Sequence, residues 1–141
     1  TCTSTRDQYN KGHQQRKRRM MMTVKVYQFH LTQADEALLN KDGWLASEKI
    51  TAYADKGCSW KIEEGSYDAA KWFHAYSHVA TVDADDLDEV FHLTNLWHKP
   101  ELVEKHSRMH SVSIGDILEM NGEFFLVAGC GFETLNISEA A

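Results

Sequence analysis

Histidine is the residue best placed to do chemistry in this chain, which holds eight of them. His74 and His78 stand four apart, as do His106 and His110, and His30, His92 and His98 lie elsewhere. On helices such pairs could share a metal ion, because imidazole is a good ligand for zinc and its neighbours. Neither pair encloses the glutamate of an H-E-x-x-H motif. The stretch around His74 and His78 alternates as a strand, which would set both rings on one side about two pleats apart. Surface or hydrogen-bonded histidines are the ordinary reading, and no metal and no cofactor is assigned. Cys130, between Gly129 and Gly131, could serve as a nucleophile with His110 as its base. Glycines so placed more often mark a bulge or a close backbone approach. Ser111 and Ser113, ahead of the Gly115-Asp116 step, invite a similar idea, but serine and aspartate at a turn commonly bond the local backbone. His110 and Ser111 are expected to fix a hairpin to the loop before it, with Asp116 as a turn residue. No residue is assigned as catalytic. His106, His110, Ser111, Asp116 and Cys130 are the candidates an enzyme would use.

A second constellation is acidic. Asp83, Asp85, Asp86, Asp88 and Glu89 crowd one stretch. They lack the glycine and the ligand spacing of a calcium loop, and they open a predicted helix, where the dipole favours acids. As a partner surface they are more suggestive. With Glu63, Glu64, Asp68 and the nearby Trp97 they could offer a protein partner a negative, partly aromatic face, or one that imitates nucleic acid phosphates. Trp44, Trp60, Trp72 and Trp97, with Tyr53, Tyr67, Tyr76 and Phe73, are numerous enough to line a pocket or an interface, though core packing accounts for at least two or three of the tryptophans.

The elements that must position these residues follow from periodicity. Thr23–Leu31 alternates and is rich in β-branched and aromatic side chains, which predicts a strand. Its second face is mixed, as in a strand covered on both sides. Thr32 with Asp35 forms a capping-box signature for a helix that Gly43 ends. Residues 44–57 predict a second helix with Ser47 as its cap. Residues 58–65 read as loop with Trp60 and Ile62 turned inward, and 66–73 as one or two helical turns. His74–Val82 is a predicted strand, and Asp83–Asn95 a helix capped by Asp83 or Asp85 with Leu87, Val90, Phe91 and Thr94 on one face. Pro100 suits the first turn of a short helix reaching Lys105. Residues 114–120 and 123–128 form a hairpin across Asn121-Gly122, the strongest short-range hairpin signal. The order β-α-α-β-α-α-β-β predicts an α+β fold: a small mixed or mostly antiparallel sheet with helices on one face and a C-terminal β-hairpin.

Charge divides the chain. Residues 1–19 hold six Lys/Arg against Asp7, a net +5, whereas residues 20–141 hold nine Lys/Arg against twenty Asp/Glu, a net −11. Residues 1–21 are read as a disordered basic segment and 22–141 as a single domain. The segment is either a basic arm for an anionic partner or a stretch translated or added ahead of the natural start. Met20-Met21-Met22 follows Arg19 directly, a purine-rich ribosome-binding site read in frame would encode Arg and Lys, and Arg18-Arg19 sits at a suitable spacing before Met22. The acidic domain lacks the clustered Lys/Arg of a general nucleic-acid face, so nucleic acid is a partner only if the basic segment is native. No apolar run approaches the roughly 18 residues of a membrane helix. Cys2, Cys58 and Cys130 form no C-x-x-C pair, which points to a reducing, cytoplasmic compartment.

Arg108-Met109-His110-Ser111-Val112-Ser113-Ile114-Gly115-Asp116-Ile117 resembles the R-M-H-S-[VM]-S-[VI]-G-D-[VI] signature of small phage and mobile-element proteins of the YodL-like group. The G-F-x-x-[ILV] tail that follows in that group is matched by Gly131-Phe132-Glu133-Thr134-Leu135, and Asp86–Phe91 and Val26-Tyr27-Gln28 are also similar. Cys130 departs from the pattern. The resemblance implies a phage or plasmid setting and no established activity. The leading expectation is a non-enzymatic accessory protein of a bacterial host's cytoplasm that binds a host or phage protein through an acidic or aromatic surface. A nucleic-acid-associated module is the alternative, and a small metal- or Cys/His-dependent enzyme the third.

Overall fold

β1 (Met22–Phe29) holds the architecture together because its side chains are buried on both faces of the sheet: Val24, Val26 and Phe29 are fully covered. The computed structural model describes residues 22–129 and 131–137. The basic segment 1–21, Cys130 and residues 138–141 lie outside the described residues. After β1 come α1 (Gln33–Asp42), α2 (Glu48–Asp55), α3 (Ser59–Glu63), α4 (Ala69–Trp72), β2 (Tyr76–Ala84), α5 (Leu87–Leu96), β3 (Val103–Lys105), β4 (Ile117–Met120), β5 (Glu123–Ala128) and β6 (Gly131–Leu135). The strands form one sheet in the order β3-β2-β1-β4-β5-β6, with every neighbouring pair antiparallel.

The fold is α+β, as expected, and the helices divide between the two faces of the sheet rather than keeping to one. On the first face Leu87, Val90 and Leu93 of α5 pack on Val24, Val26, Val82, Leu118 and Phe125. On the second, Ala52, Ile62 and Ala69 from α2, α3 and α4 pack on Phe29, Tyr76, Ile117 and Leu126. The reason lies in β1, which turns Val24 and Val26 to the first face and Phe29, with the partly buried Tyr27, to the second. Cover on the second face stops short of Lys25, Thr81 and Glu119, which leaves half of that face open to solvent or nearly so.

Local signals act where they were expected. Thr32 and Asp35 form a complete capping box and Gly43 ends α1. Ser47 caps α2, although the helix begins at Glu48 and is shorter than residues 44–57 suggest. Asn121 and Gly122 both take positive φ, 55° and 80°, and join β4 to β5. The G-F-x-x-L tail forms a further strand, β6, which the expected order β-α-α-β-α-α-β-β does not contain, and pairs along β5.

Several boundaries differ for reasons of packing. β2 starts at Tyr76 and runs to Ala84, because Ala84 is buried and pairs with Met22. The helix start therefore moves, and Asp86, rather than Asp83 or Asp85, is the N-cap of α5, accepting from the Glu89 N–H at 2.9 Å. The segment read as loop at 58–65 contains α3. Trp60 is 58% exposed while Ile62 is buried: two residues apart on a helix, they point to opposite sides. The helical turn at Pro100 is a 3-10 turn that stops at Leu102, after which Val103 enters the sheet opposite Val82. β4 begins at Ile117, because Ser113–Asp116 is a turn.

Candidate functional site

The register between β1 and β2 breaks once. Val26 pairs with Ala80 but Tyr27 pairs with His78, so Val79 is an extra residue bulged out of the ladder. In a regular strand residues three apart face opposite sides. Here the bulge brings His78 onto the face that carries Thr81, which pairs with Lys25. The same bulge anchors the chain beyond β3, because the Val79 carbonyl accepts from the His106 N–H at 2.8 Å. The His78 and His106 rings then sit 4.7 Å apart. Both Nε2 atoms lie against one atom, Thr81 Oγ1, at 3.3 Å and 2.7 Å respectively. Partial covering of its ring and the neighbouring His106 hold the His78 pKa below its usual value.

Beside this pair runs a groove of about 800 Å³ on the open half of the second face. Tyr27, Phe73 and Phe124 form its floor, with ring centroids 5.1, 5.3 and 6.2 Å apart. The Tyr27 hydroxyl donates to Glu119 at 2.9 Å. Lys25, Lys71 and His74 with Asp68 and Glu119 supply charge of both signs around it, and Ile137 closes one end. His78 links pair and groove, its ring 5.3 Å from that of Tyr27.

The R-M-H-S-V-S-I-G-D segment does something else. Asp116 is fully buried, and its Oδ2 accepts from the Ser113 N–H and from Gln28 Nε2, each at 3.0 Å. Gln28, buried near the C-terminal end of β1, also donates to the His110 carbonyl at 2.8 Å and accepts from the His110 N–H at 3.2 Å. Ser111 Oγ donates to the Thr94 carbonyl at 2.7 Å, and Thr94 Oγ1 accepts from the Val112 N–H at 3.0 Å. His110 and Ser111 thus tie the loop to β1 and α5, and Asp116 serves the turn. Burial raises the Asp116 carboxyl to about 6, against the opposing pull of its hydrogen bonds and of His110. Lys56 is buried against Gly115 and its pKa is pulled down by that burial. Among the described residues, Asp116 Oδ1 and His30 Nε2 are buried without a hydrogen-bond partner.

The acidic set is drawn into the start of α5. Asp86 is its cap, Glu89 accepts from the Asp85 N–H at 3.0 Å, and Asp88 lies 3.5 Å from His92. Asp83 is exposed on β2. Trp97 closes the helix in a left-handed conformation, with Lys105 Nζ 4.4 Å from its ring centre. His106 and His110, four apart in sequence, are not brought together, and neither are His74 and His78. His74 lies over Trp72, 5.7 Å away. No group of three or more His, Cys, Asp or Glu side chains is arranged to hold a metal among the described residues. Nor is any described helix long and apolar enough to cross a membrane.

Lys56, Thr81 and Phe124 carry no signal in the sequence, whereas Phe73 of the groove floor stands among the aromatics expected to line a pocket or an interface, and Tyr27 and Gln28 fall in a stretch that resembles the YodL-like group. A glutamine in an otherwise apolar part of a strand is the local sign of the buried polar network. No protein-family model, no curated protein and no solved structure matches the chain.

Proposed function

We propose that this chain is a non-enzymatic accessory protein of a phage or mobile element that acts in the cytoplasm of a bacterial host by binding another polypeptide through the groove on the open half of the sheet. The groove is the observation that carries this reading. Its aromatic floor of Tyr27, Phe73 and Phe124 supplies apolar area, and Lys25, Lys71, Asp68 and Glu119 supply polar groups of both signs at the rim. That mixture is the ordinary make-up of a protein-binding patch. Two lysines balanced by two carboxylates would grip a phosphate backbone poorly, because nucleic-acid affinity rests on unopposed clustered cations. The acidic residues of α5 are largely engaged in capping that helix, which favours the aromatic surface over the acidic one. The resemblance of residues 108–117 and 131–135 to the YodL-like group supports the phage or mobile-element setting.

The test is site-specific photo-crosslinking in host cells from probes at His74 and Lys25 in the groove and at Asp83 beside α5. A discrete adduct from the groove probes, lost on Lys71→Glu and absent from the Asp83 probe, supports the reading. Adducts from Asp83 alone would move the surface to the acidic helix. Retention of the chain by nucleic acid at low salt, with no protein adduct, would replace it with the nucleic-acid alternative.

A further inference from the structure

We propose that His78 and His106 form a two-histidine binding site for a late first-row divalent cation of the zinc class. The inference rests on convergence. Two imidazoles, one on β2 and one just beyond β3, direct their Nε2 atoms at one point, which Thr81 Oγ1 occupies at 3.3 and 2.7 Å. The hydroxyl has a single proton. It can donate to one ring, which must then present a bare Nε2 lone pair, while the other ring donates to the hydroxyl oxygen through its own Nε2–H. Moving that second proton to Nδ1, a change of neutral tautomer, leaves both lone pairs facing the shared point, as a metal requires.

The geometry of this face is suited to a borderline cation. Zn–N bonds are about 2.0–2.1 Å, so two nitrogens on one tetrahedral ion stand roughly 3.3 Å apart. The two Nε2 atoms here can be no further from each other than the two contacts to Thr81 laid end to end, and the ring centroids are already 4.7 Å apart. Both histidines are exposed, so a small side-chain rotation closes the difference and carries the Thr81 hydroxyl aside. The bulge at Val79 fixes the backbone of both partners, one through strand register and the other through the His106 N–H bond. Around the pair stand Lys25, Glu119 and the Tyr27 hydroxyl, with Glu104 opposite Thr81 in the ladder. Lys25 is opposed in part by Glu119 across the strands, and the domain as a whole is acidic, which limits the repulsion a cation meets. Two protein ligands leave positions on the ion for water or a further donor. Imidazole nitrogen selects zinc and copper over the hard cations magnesium and calcium.

The experiment is a calorimetric titration of the full chain with Zn²⁺ at pH 7.5, followed in parallel through the histidine ring resonances by NMR. Wild type should show one saturable equivalent that perturbs the His78 and His106 rings together. His78→Ala and His106→Ala, both at exposed positions, should each weaken it by about tenfold or more, as loss of a ligand exceeds loss of an outer-shell partner. His74→Ala should leave it unchanged, and Mg²⁺ should not compete. Zinc that shifts other histidines while these two stay still, binding that survives His78→Ala, or the absence of any saturable event would each overturn the proposal. Melting curves of the variants separate loss of a ligand from loss of fold.

Discussion

His78 and Thr81 are three residues apart on one strand and yet face the same side of the sheet, with His78 Nε2 3.3 Å from Thr81 Oγ1. One bulged residue, Val79, makes this possible. Its side chain and that of Ala80 stay fully buried on the first face, its carbonyl is taken up by His106, and His78 and Thr81 share the second face. Both the histidine pair and the end of the groove next to it depend on this one irregularity. A bulge re-aims the side chains beside it because the extra residue shifts the alternation of the strand by one position.

Gly115 is the tightest point of the turn that carries the R-M-H-S-V-S-I-G-D segment. It sits at φ +91°, and a Cβ there would fall on the carbonyl of Lys56 and within 2.9 Å of its Cβ. Both strain and overlap act against any side chain. Gly115→Ala should lower the stability to urea by about 2–4 kcal/mol. Gly122→Ala, also at positive φ but with open space around it, should lose only the backbone part, about 1–2 kcal/mol. Equal losses in the two variants would show that the Lys56 contact is not tight.

Asp116 makes the fold sensitive to pH. Its carboxyl is raised from 3.8 to about 6, chiefly by burial. A raised acid pKa means that the folded state holds the proton more firmly than the unfolded chain does. This contribution is fully present below pH 3.8, falls as the pH rises to about 6, and is level above that, a total on the order of 3 kcal/mol. Asp116→Asn lacks it. The stability of wild type minus that of the variant should therefore shrink between pH 4 and pH 7, as read from urea midpoints at pH 4, 5.5 and 7. A difference that does not change with pH would mean that the carboxyl is ionised throughout.

Features set by neighbours in sequence were legible. The Thr32–Asp35 box, the Ser47 cap, the Asn121-Gly122 turn and the apolar face of α5 are each encoded within a few residues, and so was the α+β class that their order implies. Features set by distant partners were not. His74/His78 and His106/His110 look like pairs because four residues separate them, but the rings that meet are His78 on β2 with His106 just beyond β3, and His30 with His110. Nothing in the spacing marks Val79 as the extra residue. Val103 reads as helical after Pro100 until Val82 is known to lie opposite. Gln28, Lys56 and Asp116 form one buried polar group drawn from three separate parts of the chain, and only tertiary packing brings them together.

Asp86 and Asp83 belong to the same acidic run and should respond differently to substitution. Asp86 is 3% exposed and caps α5 through the Glu89 N–H, whereas Asp83 is exposed on β2. Asp86→Ala should cost about 1–2 kcal/mol, the usual loss for an N-cap, and Asp83→Ala should stay within about 0.5 kcal/mol. Thermal or urea unfolding of the two variants decides it. Similar small effects at both sites would return the run to the status of a solvated acidic surface.

The buried hydroxyls of Tyr67 and Tyr76 form a short relay onto the same turn. Tyr76 donates to the Gly115 carbonyl at 2.6 Å, which leaves its oxygen to accept from the Tyr67 hydroxyl, also 2.6 Å away. Burial pushes the Tyr67 pKa up to about 12 and that of Tyr76 higher still, so both protons are in place at neutral pH and the direction of the relay is fixed. Removing one hydroxyl or the other is then not equivalent. Tyr76→Phe strands both the Gly115 carbonyl and the Tyr67 hydroxyl, and two unsatisfied buried groups cost about 2–4 kcal/mol together. Tyr67→Phe leaves the bond to Gly115 intact and removes only a donor from Tyr76, a loss of about 1 kcal/mol. Urea denaturation of the two variants should rank Tyr76→Phe as clearly the more damaging. Alkaline difference spectroscopy of wild type should find these two phenols still protonated at pH 11, where exposed tyrosines have ionised. Equal destabilisation by the two substitutions would mean that the Gly115 carbonyl does not depend on Tyr76.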